Sequence, residues 1–264
     1  LELLSLSPDL ISFEIFAFLF LIAIAAGLID TLAGGGGLIV LPALIMSGIP
    51  PLQALGTNKL QGTMGTATAT LMMVKSKRVS WQSVKFLMLW AFIGAVVGTV
   101  IVQFIDTKVL SFIIPLVLLV IGVYFLFSPT PAEEQRVAKL SNKAYAKGVV
   151  PLIGGYDGMF GPGTGSFFAL AGVTGKGMGL IAATAEAKPL NFATNIASLI
   201  VFVMAGQVVW TVGILMMFGQ VIGAWLGSHC LFSINPKHIK AIVVFMCFAM
   251  LVKYADSMGW VSLF

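Results

Sequence analysis

LIDTLAGGGG, residues Leu28–Gly37, follows eighteen mostly apolar residues. It places a carboxylate, Asp30, and four consecutive glycines where the chain is otherwise entering an oily environment. The run superficially matches a phosphate loop. It lacks the Gly-Lys-Ser/Thr ending that such a loop requires, and no strand pattern precedes it. A break inside a membrane-embedded helix accounts for the same residues, because glycine accepts backbone conformations that other residues resist.

Composition supports that environment. Of 264 residues, 59% are hydrophobic and only 9% charged, against roughly 25% charged in soluble domains. Phe86–Phe104 and Val109–Phe127 are apolar runs about as long as a helix needs to cross a bilayer. Lipid admits only helices and closed barrels, and barrel strands alternate over about ten residues. The chain therefore reads as an all-α polytopic membrane protein. Its formal charge of +5 does not point to nucleic acid, because the basic residues sit in short loops between apolar spans. The first apolar segment reads as a retained membrane element, without a basic leader or a small-residue cleavage site. Cys230 and Cys247 lack metal-ligand spacing, and His229 and His238 read as interfacial residues. No metal or other cofactor is implied.

The sequence repeats itself. Asp30, Gly34 and Gly36 fall against Asp157, Gly161 and Gly163 at an offset of 127 residues. At an offset of 129, Lys59 falls against Lys188, Trp81 against Trp210, and the Gly94/Gly98 pair against Gly223/Gly227. Residues 1–127 form one repeat, 128–147 a charged linker and 148–264 the other repeat, together one integral membrane domain. Each repeat divides into a long broken segment and three ordinary spans: 12–48, 52–75, 82–105 and 108–127, then 148–180, 182–205, 210–230 and 236–254. The piece Leu38–Ser47 would cover only about 15 Å as a helix, half a bilayer. It fits a re-entrant helical hairpin turning at the glycines.

Charge distinguishes a hairpin from a single crossing. With both broken segments re-entrant, eleven Lys and Arg residues lie on one side, two on the other, and Lys59 and Lys188 within the bilayer. With single crossings the split weakens to nine against four. The positive-inside tendency favours hairpins. Each repeat then crosses three net times, the repeats are inverted, the linker is cytoplasmic and both termini face the periplasm or exterior. Two full crossings by each broken segment give the same parity, but the short second arms oppose them. The glycine pairs predict close helix contacts, within the chain or in a homodimer. Trp81, Trp210 and Trp260 read as interfacial anchors in contact with membrane lipids.

Polar groups inside a membrane are costly unless paired or wetted. Asp30, Asp157 and Glu186 are structural or proton-coupling candidates. The aspartates would brace the hairpin turns; Glu186 would carry a coupling proton or neutralise Lys188. Lys59 and Lys188 would either contact substrate or form structural ion pairs. The hairpin glycines would expose helix N-termini that favour anions. The substrate-binding set is accordingly Gly34, Gly35, Gly36, Gly37, Asn58, Lys59, Gln61, Gly161, Gly163, Thr164, Lys188, Asn191 and Asn195. No catalytic residue is implied: nothing resembles a nucleophile triad, a dinucleotide fingerprint or a metal-ligand cluster.

At Asp30–Gly37, Pro42-Ala43-Leu44, Thr57–Gln61, Tyr156-Asp157-Gly158, Phe160–Gly163, Ala187-Lys188, Leu190-Asn191 and Asn195-Ile196, the chain resembles the sulfite exporter TauE/SafE family of membrane transporters, in its YfcA-like bacterial branch. The resemblance implies a secondary transporter in the bacterial cytoplasmic (inner) membrane. It would move sulfite, a sulfonate or a related organosulfur anion by alternating access, with proton coupling. The residues leave two alternatives: a cation or neutral-solute carrier using Asp30, Asp157 and Glu186, or a non-transporting membrane assembly component.

Overall fold

The computed structural model describes residues 13–127 and 137–230, with isolated positions between 241 and 256. Most of the expected last span, 236–254, and Trp260, His238 and Cys247 lie outside the described residues. Within them the fold is helical: α1 (Phe13–Ala33), α2 (Gly37–Met46), α3 (Pro51–Lys75), α4 (Trp81–Gln103) and α5 (Thr107–Phe127) come first. A short α6 (Asn142–Ala144) passes through a π-helical turn, Tyr145–Val149, into α7 (Val150–Met159). Then follow α8 (Thr164–Lys176), α9 (Leu180–Met204) and α10 (Trp210–Cys230).

Local chemistry sets the breaks. Gly34 has φ +73°, which ends α1, and Gly163 has φ +79° at the start of α8. A side chain would strain the backbone at either position. Tandem Pro50-Pro51 opens α3, where a missing N–H costs nothing. The Ser141 hydroxyl accepts from Ala144 N at 3.1 Å and caps α6.

Among the described residues, five helices are long and apolar enough to cross a membrane: α1, α4, α5 over Thr107–Tyr124, α9 and α10. The outward faces are apolar. Phe86, Leu89, Ile93 and Val97 form one helical stripe on α4, and Phe112, Leu116 and Val120 another on α5. The buried positions include Lys59, Lys188, Asp157, Asn58 and Asn191. Apolar outside and polar inside is the arrangement that lipid demands. The ten-residue α2 survives because Leu38–Leu44 are all buried.

α3 and α9 pack together at the centre, α10 packs on α1 and α3, and α4 packs on α7 and α9. The glycine pairs fall at these contacts. A Cβ on Gly223 would lie 2.0 Å from Ile24 O, and one on Gly98 would lie 2.0 Å from Gly155 O. Both pairs thus face a neighbour within the same chain. At the other end of the second broken segment, Lys139 N and Leu140 N donate to Gly175 O at 2.9 and 3.0 Å. This joins the approach to α6 with the end of α8.

Candidate functional site

The two helix breaks meet. A Cβ on Gly34 would fall 2.5 Å from Gly165 Cα, and one on Gly37 would fall 3.2 Å from Pro162 Cα. The Ser166 hydroxyl donates to Ala33 O, tying the start of α8 to the end of α1.

Each aspartate braces its own break, in a different way. Gly36 N donates to Asp30 Oδ1 at 3.3 Å, while Asp30 O accepts from Gly34 N at 2.7 Å and from Lys188 Nζ at 2.5 Å. Asp157 Oδ1 accepts from the Thr164 hydroxyl at 2.6 Å and lies 3.0 Å from Lys59 Nζ. The Tyr156 hydroxyl donates to Pro162 O at 2.6 Å, closing the second turn. The helix ends are therefore already faced by carboxylates, and the compensating positive charge comes from lysines on α3 and α9.

These helices bring a polar cavity of about 30 Å³ to the meeting point. That volume holds roughly two waters. It is lined by Gly36, Gly37, Asn58, Lys59, Gln61, Gly161, Asn191 and Asn195 of the expected binding set, with Asp30 and Asp157. Gln61 Nε2 donates to Asn58 Oδ1 at 2.8 Å. Asn195 Nδ2 donates to Asn191 O at 2.8 Å and to Asn191 Oδ1 at 3.1 Å. The Thr63 and Thr66 hydroxyls bond back to Lys59 O and Gly62 O, each at 2.7 Å, so they do not burden the interior with free hydroxyls.

Gly34, Gly35, Gly163, Thr164 and Lys188 are not on the cavity wall. Thr164 and Lys188 stand behind it, on Asp157 Oδ1 and on the Asp30 carbonyl. Glu186 lies elsewhere: its carboxylate takes Lys176 Nζ at 3.0 and 3.1 Å, beside the Tyr145 ring. It pairs with Lys176 and not with Lys188, which sits two residues along α9 and so faces another way. The structure adds Gly62, Thr66 and Gln220 to the wall. Gln220 is the only strongly polar side chain in the run Trp210–Leu226, a signal that marks it; its counterpart at the 129 offset, Ala91, offers none. Among the described residues no cluster of His, Cys, Asp or Glu could hold a metal ion.

Apolar-faced helices that enclose a charged and amide-lined cavity at paired helix breaks define a membrane transporter. The chain belongs to the family described as "Sulfite exporter TauE/SafE", which it matches over residues 19–254. It is 42% identical over 250 residues to the "Probable membrane transporter protein" of Haemophilus influenzae, covering 95% of this chain and 98% of that one. It is also 42% identical over 243 residues to "Probable membrane transporter protein ORF9" of a Sinorhizobium species, covering 92% and 93%. Identity to "Probable membrane transporter protein YfcA" of Escherichia coli K12 is 41% over 242 residues, covering 91% and 90%. No solved structure matches the chain.

Proposed function

We propose that the protein is a secondary transporter that carries a small anion, of the sulfite, sulfonate or related organosulfur class, by alternating access between two inverted repeats. The observation that carries this reading is Lys59: it is 1% exposed, yet it lines a cavity whose other walls are the Asp30 and Asp157 carboxylates, carboxamides, Thr66 and glycines, with both carboxylates already engaged at the helix breaks. A compact ammonium among amide donors suits an oxyanion stripped of water. Two features support the inverted arrangement. α1 packs on α10 as α7 packs on α4, each pairing the first helix of one repeat with the last aligned helix of the other. The second broken segment also begins and ends at one place, through Lys139, Leu140 and Gly175. α8, at thirteen residues, would span about 20 Å, too short for a full crossing.

The protein reconstituted in liposomes is expected to move sulfite or short sulfonates faster than empty vesicles, with a rate that responds to an imposed pH gradient. Lys59→Ala should abolish this flux while the protein remains folded and monodisperse. Sulfite or sulfonate flux that survives Lys59→Ala would remove that lysine from the substrate site. Absence of flux for a broad anion panel would overturn the anion reading.

A further inference from the structure

Three buried atoms at the cavity lack a hydrogen-bond partner: Lys59 Nζ, Gln61 Oε1 and Asp157 Oδ2. Lys59 Nζ is ion-paired with Asp157 Oδ1 at 3.0 Å, but an ammonium carries three N–H donors and no second acceptor is in place for it. Buried polar atoms are rarely left unpaired, because each forfeits its bonds to water without replacement. All three residues line the same cavity.

The unpaired atoms are of both kinds. One is a cationic donor and two are acceptors. Asp157 Oδ1 is occupied by Thr164 and faced by Lys59, which leaves Oδ2 as the open half of an ion-paired carboxylate. Gln61 commits its amide nitrogen to Asn58, which leaves its oxygen open. Turning both amides over would change Gln61 into a donor, but Asp157 Oδ2 stays an acceptor in either assignment. An anion that only accepts hydrogen bonds would satisfy Lys59 and leave Asp157 Oδ2 facing a like charge.

The geometry points to a more specific substrate class: a small monoanion that carries its own hydrogen-bond donor. A hydroxylated sulfonate or a singly protonated oxyanion meets this requirement; a dianion or a bare alkyl sulfonate does not. This inference rests on the anion-transport reading above and assigns its selectivity to Asp157 and Gln61. With the cavity widened beyond its roughly two-water volume to admit substrate, the anionic group takes Lys59, while the hydroxyl donates to Asp157 Oδ2 or Gln61 Oε1. Charge supports the same choice. The formal charges of the lysines and aspartates at the two breaks, Lys59, Lys188, Asp30 and Asp157, sum to zero, so the site has no net positive charge to offset the far larger desolvation cost of a dianion.

Two probes of equal heavy-atom count test it: 2-hydroxyethanesulfonate and propane-1-sulfonate, which differ by hydroxyl against methyl. Each competes with sulfite uptake into proteoliposomes holding the full chain. The hydroxylated probe is expected to compete at least about tenfold better, because the methyl probe leaves a buried acceptor without a hydrogen bond. Asp157→Asn combined with Gln61→Met should reduce that preference to within about twofold. Equal competition by the two probes with the unaltered protein overturns the inference while leaving anion transport standing. So does an undiminished preference in the double variant. If the double variant does not fold, the comparison in the unaltered protein decides alone. If sulfite and both probes are inert, the anion reading fails and the inference fails with it.

Discussion

Lys59 and Lys188 fall against each other at an offset of 129 residues in the sequence but hold different partners. Lys188, fully buried, donates to the backbone carbonyl of Asp30 near the end of α1, a carbonyl that also accepts from Gly34 N. Lys59 instead faces the carboxylate of Asp157. The difference follows from the aspartates: Asp30 turns its oxygen to Gly36 N, whereas Asp157 turns its oxygen to Thr164 and Lys59. Removing one partner of a buried pair strands the other charge, at a cost of about 3–5 kcal/mol, while replacing both by apolar groups costs far less. Lys59→Met and Asp157→Leu should therefore each lower the thermal midpoint of the detergent-solubilised protein by several degrees. The Lys59→Met/Asp157→Leu protein should melt above either single variant. Additive losses would show that the pair is not coupled. Sequence position alone identifies both lysines as buried. It does not identify their partners, because the acceptor for Lys188 is a carbonyl whose direction depends on how the chain leaves α1.

Helix contacts in this fold are set by missing side chains. Gly94 and Gly98 let α4 touch the backbone of α7, and Gly223 and Gly227 let α10 touch that of α1. Their four-residue spacing makes a flat close-packing face legible in the sequence. The partner is not legible, since GxxxG sets how near a neighbour comes and not which neighbour it is. The helix breaks are readable for the complementary reason: glycines that match at an offset of 127 residues, each set followed by a stretch too short to cross. A Cβ on Gly94 would sit 2.1 Å from Pro151 O and one on Gly223 2.0 Å from Ile24 O, whereas nothing lies within 4 Å of one on Gly148. Gly94→Leu and Gly223→Leu should each destabilise by about 1–3 kcal/mol or more through forced separation of backbones. Gly148→Ala should change stability by less than about 1 kcal/mol. Thermal unfolding in one detergent compares the three. Equal midpoints for Gly223→Leu and Gly148→Ala would remove the close contact from the account of stability.

For the whole molecule, the decisive quantity is which loops share a side of the membrane. Lys139 and Leu140, in the linker ahead of the second broken segment, bond to Gly175 near its end, which supports the reading in which that segment returns to the side from which it came. If the first repeat is the inverted copy, its broken segment also returns to the side from which it came. Pro50, Lys108 and Ala205 should then lie outside the cytoplasm, with Ser76 and Lys143 inside; all five positions are exposed. If the broken segments were single crossings, the linker would lie on the opposite side from the α8–α9 turn, and Lys143 and Ala205 would share a side. The two arrangements therefore separate on a few cysteines. In a background lacking Cys230 and Cys247, single cysteines at Pro50, Lys108 and Ala205 should react in intact cells with a maleimide that cannot cross the membrane. Cysteines at Ser76 and Lys143 should react only after permeabilisation. Reaction of Lys143 and Ala205 under the same condition would exclude the hairpin. Alternating access would then need another origin, because opposed broken helices require both repeats to enter the membrane from opposite faces and turn back near its middle.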